Sequence, residues 1–142
     1  MHNGTSTRKN LLETARAAGS FTTLLAAIDQ AGFTQSLIDD GPFTVFAPDD
    51  EAFAGLPEGA VDSLLAEPDT LTSVVTYHLV RGRLALAQVV YLRRALTLQG
   101  EDLRLSLNGS LQIDGARLVE ADIEASNGVI HAIDRVLLPA QI

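Results

Sequence analysis

The apolar positions of this chain change their period partway along it. From Asn10, Leu11, Leu12, Ala15 and Ala18 recur at helical spacing, and Gly19 is a natural stop. Ser20 stands where it could cap a second helix over Phe21–Ala31, with Leu24, Leu25 and Ile28 on one face and Gly32 beyond its end. A short helical turn is predicted over Gln35–Asp39. Gly41-Pro42 breaks the pattern, and Phe43-Thr44-Val45-Phe46-Ala47 reads as a buried strand that Pro48 stops. Asp49, Asp50 and Glu51 then place negative charge at the start of a helix whose apolar contacts are Ala52, Phe53 and Leu56. Two more helices are predicted, over Ala60–Ala66 and Asp69–Tyr77, with Pro68 just ahead of the second.

The second half takes the period of a strand. Leu103-Arg104-Leu105-Ser106-Leu107 alternates strictly, Asn108-Gly109 is a strong hairpin signal, and Leu111-Gln112-Ile113 returns. Asp114-Gly115 marks another turn, Leu118–Glu124 a further strand and Asn127-Gly128 a third turn, so that Gly115 and Gly128 both read as turn residues. Val129–Leu138 is an apolar, β-branched run closed by Pro139. Helices followed by a meander of strands predict an α+β fold with a largely antiparallel sheet. Residues 1–9 are polar and small and read as a flexible tail, and residues 10–142 as one domain without internal repeats or a linker.

Composition narrows the function. The chain has 142 residues, 46% hydrophobic and 20% charged, which suits one self-supporting globular domain. Trp is absent and aromatics are 5%, so the core must come from Leu, Val, Ile and Ala. The net charge of −8 repels phosphate backbones and anionic lipid, and Arg93-Arg94 is an isolated basic pair; nucleic acid is not an expected partner. With no cysteine, disulfides, thiolate metal sites and cysteine nucleophiles are excluded. No apolar run reaches the length of a membrane span, and Met1–Lys9 contains no signal-peptide core.

Candidate chemistry is sparse. Of the three histidines, His2 lies in the tail, while His78 and His131 sit among apolar neighbours, the setting of hydrogen-bonded core residues rather than of ligands. Their spacing matches no zinc site, so neither metal nor cofactor is expected. There is no G-x-S-x-G elbow, phosphate loop or dinucleotide fingerprint. Helix capping accounts for Asp49-Asp50-Glu51. Asn3-Gly4-Thr5 and Asn108-Gly109-Ser110 match the N-glycosylation pattern, and the hairpin turn already explains the second.

Three segments resemble the fasciclin I family, in order and at matching separations. Gly41-Pro42-Phe43-Thr44-Val45-Phe46-Ala47-Pro48 with Asp50-Glu51-Ala52-Phe53 is similar to its first signature block. Tyr77-His78 is similar to its central Tyr-His motif. Asn127-Gly128-Val129-Ile130-His131-Ala132-Ile133-Asp134 with Val136-Leu137-Leu138-Pro139 is similar to its second block. The resemblance implies a wedge-shaped antiparallel β-sandwich of about seven strands with several flanking helices. It also implies a secreted, periplasmic or surface-attached protein that works as a cell-adhesion or binding module without enzymatic activity, and whose export signal was removed; a monomer is expected. Its partners would be a cell-surface or matrix protein or a polysaccharide.

Two binding determinants follow from the resemblance. Glu120-Ala121-Asp122-Ile123-Glu124 stands where animal relatives carry a Glu-Pro-Asp-Ile-Met type motif proposed for integrin contact; Asp122 and Ile123 match, while Ala121 and Glu124 depart from it. The second is Tyr77-His78 with Val74, Val75, Leu79 and Val80. Beside the adhesion module stand two alternatives: a self-associating structural protein of the cell envelope, and a hydrolase using His78. Burial of His78 against aliphatic side chains, with bonds only to backbone, would remove the last. Buried neutral histidines would also make the fold sensitive to acid.

Overall fold

The computed structural model describes residues 10–39, 42–56, 59–108 and 110–137. Six helices in the first half are α1 (Leu11–Ala18), α2 (Thr22–Gln30), α3 (Thr34–Asp39), α4 (Asp50–Ala54), α5 (Ala60–Ala66) and α6 (Pro68–Tyr77), with β1 (Phe43–Pro48) between α3 and α4. There follow β2 (Leu79–Arg81), α7 (Leu86–Val89), β3 (Arg94–Leu96), β4 (Asp102–Asn108), β5 (Ser110–Ile113), β6 (Ala116–Ala125) and β7 (Gly128–Ile133). The expected tail, the Asn3 sequon, Gly41, Gly109 and Pro139 lie outside the described residues.

The local signals account for most of these boundaries. Asn10 closes a capping box: its Oδ1 accepts from Glu13 N at 2.9 Å while Glu13 Oε1 accepts from Asn10 N at 3.1 Å. Gly19, at φ 79°, ends α1. Asp49 caps α4 by accepting from Ala52 N at 2.8 Å. The β5–β6 hairpin turns through Asp114 (φ 53°) and Gly115 (φ 88°), the pair of left-handed residues that an Asp-Gly turn supplies.

Ser20 does not cap α2, which starts one residue later than expected with Phe21 as its N-cap and no side-chain cap of its own. Asp50 takes that role from across the fold. Its Oδ1 accepts from Thr23 N at 2.9 Å and its Oδ2 from the Thr22 hydroxyl at 2.7 Å. Partial burial raises the Asp50 pKa, but the Thr23 amide and Thr22 hydroxyl outweigh it and hold the carboxyl below its ordinary value.

The strands join one seven-stranded sheet in the order β2-β1-β7-β6-β5-β4-β3. Every neighbouring pair is antiparallel except β1 and β7, which run parallel from Phe43↔Gly128 to Pro48↔Ile133; the sheet is therefore mixed. Its ends nearly meet: Val80 bridges Thr97, and Leu98 N donates to Leu79 O at 2.9 Å. The sheet thus curls almost into a barrel.

Two apolar clusters follow from the strand alternation. Val45 and Ala47 of β1 and Ile130 and Ala132 of β7 face the helices, against Leu11, Leu24, Ile28 and Leu71. Phe46 and Ile133 face the other way, into an interior shared with Leu103, Leu105, Ile113 and Val89. β1 and β7 are covered on both faces and buried throughout, which is why they read as continuous apolar runs. Each large side chain fully buried there contributes about 1.5–3 kcal/mol.

The last apolar run departs from expectation. β7 stops at Ile133, and the chain bends at Asp134, whose carboxylate accepts from Arg117 N at 2.8 Å while its own amide donates to Arg117 O at 3.0 Å. Leu137 then enters the interior cluster from outside the sheet. Gly128 is a strand residue rather than a turn residue: a Cβ there would run into the Phe43 carbonyl and the Leu11 side chain.

Candidate functional site

Tyr77 ends α6 and His78 is its C-cap. Both side chains point inward, at 4% and 1% exposure. His78 Nδ1 lies 2.7 Å from Val74 O, and Nε2 accepts from Leu137 N at 2.9 Å. The carbonyl accepts only, so the proton sits on Nδ1 and the ring is neutral. Burial pushes its pKa down to about 4, against a smaller upward pull from Val74 O. Both ring nitrogens are held by backbone, the arrangement that removes His78 as a general base: none is left to take a substrate proton.

Tyr77 occupies the interior cluster and extends its hydroxyl to the β5–β6 turn, donating to Asp114 Oδ2 at 2.5 Å. Burial first, and then the Asp114 carboxylate, raise the phenol far above its ordinary range. Asp114 Oδ1 also accepts from Arg104 N at 3.1 Å. The tip of Tyr77 reaches the wall of a surface cleft of about 590 Å³.

Asp122 and Ile123 lie on β6 where its pairing with β7 slips between Glu120 and Ile123. Asp122 sits in the left-handed region at φ 57°. Its amide donates to His131 Nδ1 at 3.1 Å, and its Oδ1 accepts from Leu86 N, the first residue of α7, at 2.8 Å. His131 Nε2 lies 2.7 Å from Leu84 O, which fixes the other tautomer from that of His78. The ring, 1% exposed, rests on Phe46 with centroids 5.7 Å apart. Both histidines are thus hydrogen-bonded core residues, as their apolar neighbours indicated.

Ile123 turns the other way and packs, half-buried, against the helix-side cluster. What β6 presents outward is Val119, at 57% exposure, with the carboxylates of Glu120, Asp122 and Glu124. The bonding around each pair is separate: Tyr77 and His78 bind the β5–β6 turn and the Leu137 segment, Asp122 and Ile123 the α7 end and the helices.

One residue with a central role drew no notice in the sequence. Arg83 donates from Nη1 to Gly128 O at 2.9 Å, and from Nη2 to Ala125 O and Ser126 O, each at 3.0 Å. It ties the segment before α7 to the β6–β7 turn, alongside the Asp122 and His131 bonds. An arginine between short elements carries no local signal for such a long-range contact.

Among the described residues, no group of three or more His, Asp or Glu side chains is placed to hold a metal ion. Among the same residues, no helix is long and apolar enough to cross a membrane.

The fasciclin domain profile matches residues 19–139. The protein sll1483 of Synechocystis is 42% identical over 138 residues, spanning 95% of this chain and 76% of that one. The transforming growth factor-beta-induced protein ig-h3 of Sus scrofa is 38% identical over 130 residues, which are 91% of this chain but 19% of that much longer protein. A solved FAS1 domain pair from the insect cell adhesion molecule Fasciclin I shares the fold at a TM-score of 0.66 and 21% identity, over 87% of this chain and 47% of the pair. With the profile covering most of its length and such relatives beside it, this chain belongs to the fasciclin domain family.

Proposed function

We propose that this chain is a non-enzymatic adhesion and binding module that works outside the cytoplasm, secreted, periplasmic or attached to the cell surface. Family membership carries the reading: the same fold occurs in a protein described as an insect cell adhesion molecule. The partner is a cell-surface or matrix protein or a polysaccharide, and the domain acts as a monomer. The contact is placed on the outward side of the Glu120–Glu124 segment, where exposed carboxylates flank a β-bulge, a feature that re-aims side chains at the edge of a ladder. Tyr77 and His78 serve it from inside, by holding α6, the β5–β6 turn and the Leu137 segment together. The two-layered wedge that the resemblance implies belongs to this reading as a flattening of the near-closed sheet.

The test is attachment of cells of the organism that carries the chain to surfaces coated with the purified domain, with heat-denatured domain as control. The double charge reversal Glu120→Lys, Glu124→Lys changes only exposed positions and so leaves the core intact. Fold-dependent attachment that the reversal abolishes supports both the module and the contact. Attachment unaffected by the reversal moves the contact off β6. Attachment no greater than the control removes the adhesion reading.

A self-associating envelope protein is the second reading. It rests on three exposed apolar side chains, Tyr91 at 86%, Leu96 at 63% and Val119 at 57%. Sedimentation at high concentration separates the two: a strict monomer removes self-association.

A further inference from the structure

The cleft at the tip of Tyr77 lies where the β3–β4 connection and the β5–β6 turn come together, and charged side chains make up most of its wall. Arg94 of β3 and Arg104 of β4 are direct cross-strand partners, both exposed, both lining it. Like charges directly opposite each other on antiparallel strands weaken the ladder. Among the described residues neither guanidinium donates a hydrogen bond or forms an ion pair. The carboxylates are differently placed. Asp114 is already engaged by the Tyr77 hydroxyl and Arg104 N, and Glu101 Oε2 accepts from Gln99 Nε2 at 3.1 Å, while Asp102 stands exposed on the rim. The two arginines and the three carboxylates thus share one wall, each sign open to a ligand that complements it.

Two guanidinium forks side by side match one planar carboxylate, which can accept from both. The three acids around them set the rest of the ligand. Carboxylates only accept, so a complementary ligand brings hydroxyl donors to them. A phosphate brings nearly two negative charges against three carboxylates and offers no donors. A run of acidic side chains brings a second charge to the same wall. A sugar acid carries one carboxylate and a ring of hydroxyls. At about 590 Å³ the cleft is within the range of small-ligand sites and holds about two sugar rings.

We propose that this cleft binds a uronic acid residue of a saccharide, its carboxylate bridging Arg94 and Arg104 and its hydroxyls donating to Asp102, Glu101 and Asp114. This goes beyond the adhesion reading: the cleft does not involve β6 positions Glu120–Glu124, and either can fail without the other.

The probe is a disaccharide of one glucuronate and one neutral hexose, titrated into the folded domain at low salt and followed by amide chemical shifts. The expected result is saturable shifts centred on residues 94–104 and 114, complete within about 10 mM. The Arg94→Gln, Arg104→Gln double variant, with an unchanged fold, binds at least about tenfold more weakly. Arg117→Gln, an exposed arginine outside the cleft, stays within about twofold and so separates the site from net charge. The neutral disaccharide, inorganic phosphate and diglutamate each shift the same amides at least about tenfold less well. No saturable shift with the uronate, equal binding of any of those three, or undiminished binding by the double variant overturns the proposal.

Discussion

His78 Nε2 accepts a hydrogen bond from Leu137 N at 2.9 Å, joining the end of α6 to the segment that leaves the sheet. The bond spans 59 positions of the chain and is fully buried. It explains why the last apolar run does not continue as strand: Leu137 is drawn back into the barrel interior, where its side chain is 3% exposed. Only a neutral ring can make it. A protonated His78 has donors on both nitrogens, and the Leu137 amide would then face a donor with nothing to accept from it.

The fold should therefore weaken in acid through His78. The folded ring takes its proton near pH 4 and the unfolded ring near 6.5. Between those values the unfolded chain binds a proton that the folded one refuses. The contribution is complete above pH 6.5 and is lost as the pH falls toward 4, in all about 3 kcal/mol. Urea unfolding at intervals from pH 7 to 4 measures it. His78→Gln keeps one side-chain bond at most and should lower stability at pH 7 by about 1–3 kcal/mol. Its curve should then fall less steeply than the wild type between pH 6.5 and 4. Carboxylates titrate in both proteins, so the difference between the curves isolates His78, and parallel curves would refute the assignment.

Asp122 belongs to the molecule's framework whatever else it touches. Its carboxylate caps the first amide of α7, and its backbone holds φ 57°. Substitutions should rank by which of the two they lose. Asp122→Asn keeps an acceptor and tolerates the left-handed region, so it should cost less than about 0.5 kcal/mol. Asp122→Gly loses the cap alone, about 1 kcal/mol. Asp122→Ala loses the cap and strains the backbone, about 2–3 kcal/mol together. Chemical denaturation of the three variants gives the order; an alanine variant as stable as the asparagine one would mean that the cap and the strain carry no weight.

What the sequence disclosed was mostly local. The Gly19 stop of the first helix, the Asp114-Gly115 turn and the alternation around Leu103 and Leu105 each act within a few residues, and each appears in the fold. The stretch from Leu79 to Leu96 gave no reading because β2 and β3 are three residues each and α7 is four, too short for any period to show. The parallel pairing of β1 with β7 is a property of chain path, invisible in either strand's residues. Family motifs named Tyr77, His78, Asp122 and Ile123 but said nothing of their directions. The outward turn of Asp122 depends on a bulge, and the reach of the Tyr77 hydroxyl to a cleft depends on where the β5–β6 turn lies.

Asp50 shows the same limit at a helix end. Its carboxylate reads as a cap for its own helix, yet it serves α2, whose Thr23 lies 27 positions away. Asp50→Ala should free the Thr23 amide and the Thr22 hydroxyl and cost about 1–2 kcal/mol. Because Asp49 caps α4, that helix should persist. Amide hydrogen exchange checks both statements: protection should fall in the first turn of α2 and remain in α4. Equal loss in both helices would mean that Asp50 supports α4 after all.

Gly128 is the position least able to accept a side chain. It pairs with Phe43 on one side and Ala125 on the other, in a strand covered on both faces. A methyl group there would meet the Phe43 carbonyl oxygen and both terminal carbons of Leu11. Leu11 could shift, but the carbonyl is fixed in the β1–β7 ladder, so β1 and β7 must separate locally. That loosens the two strands on which both apolar clusters are built. Gly128→Ala should therefore destabilise the domain by about 3 kcal/mol or more, well above the usual cost of an overpacked methyl. Gly115→Ala offers the contrast: nothing lies within 4 Å of its added Cβ, and only its φ of 88° opposes the change. It should cost about 1–2 kcal/mol. Thermal unfolding of the pair gives the comparison. A Gly128→Ala variant no less stable than the Gly115→Ala one would mean that the Phe43–Gly128 approach is looser than its geometry.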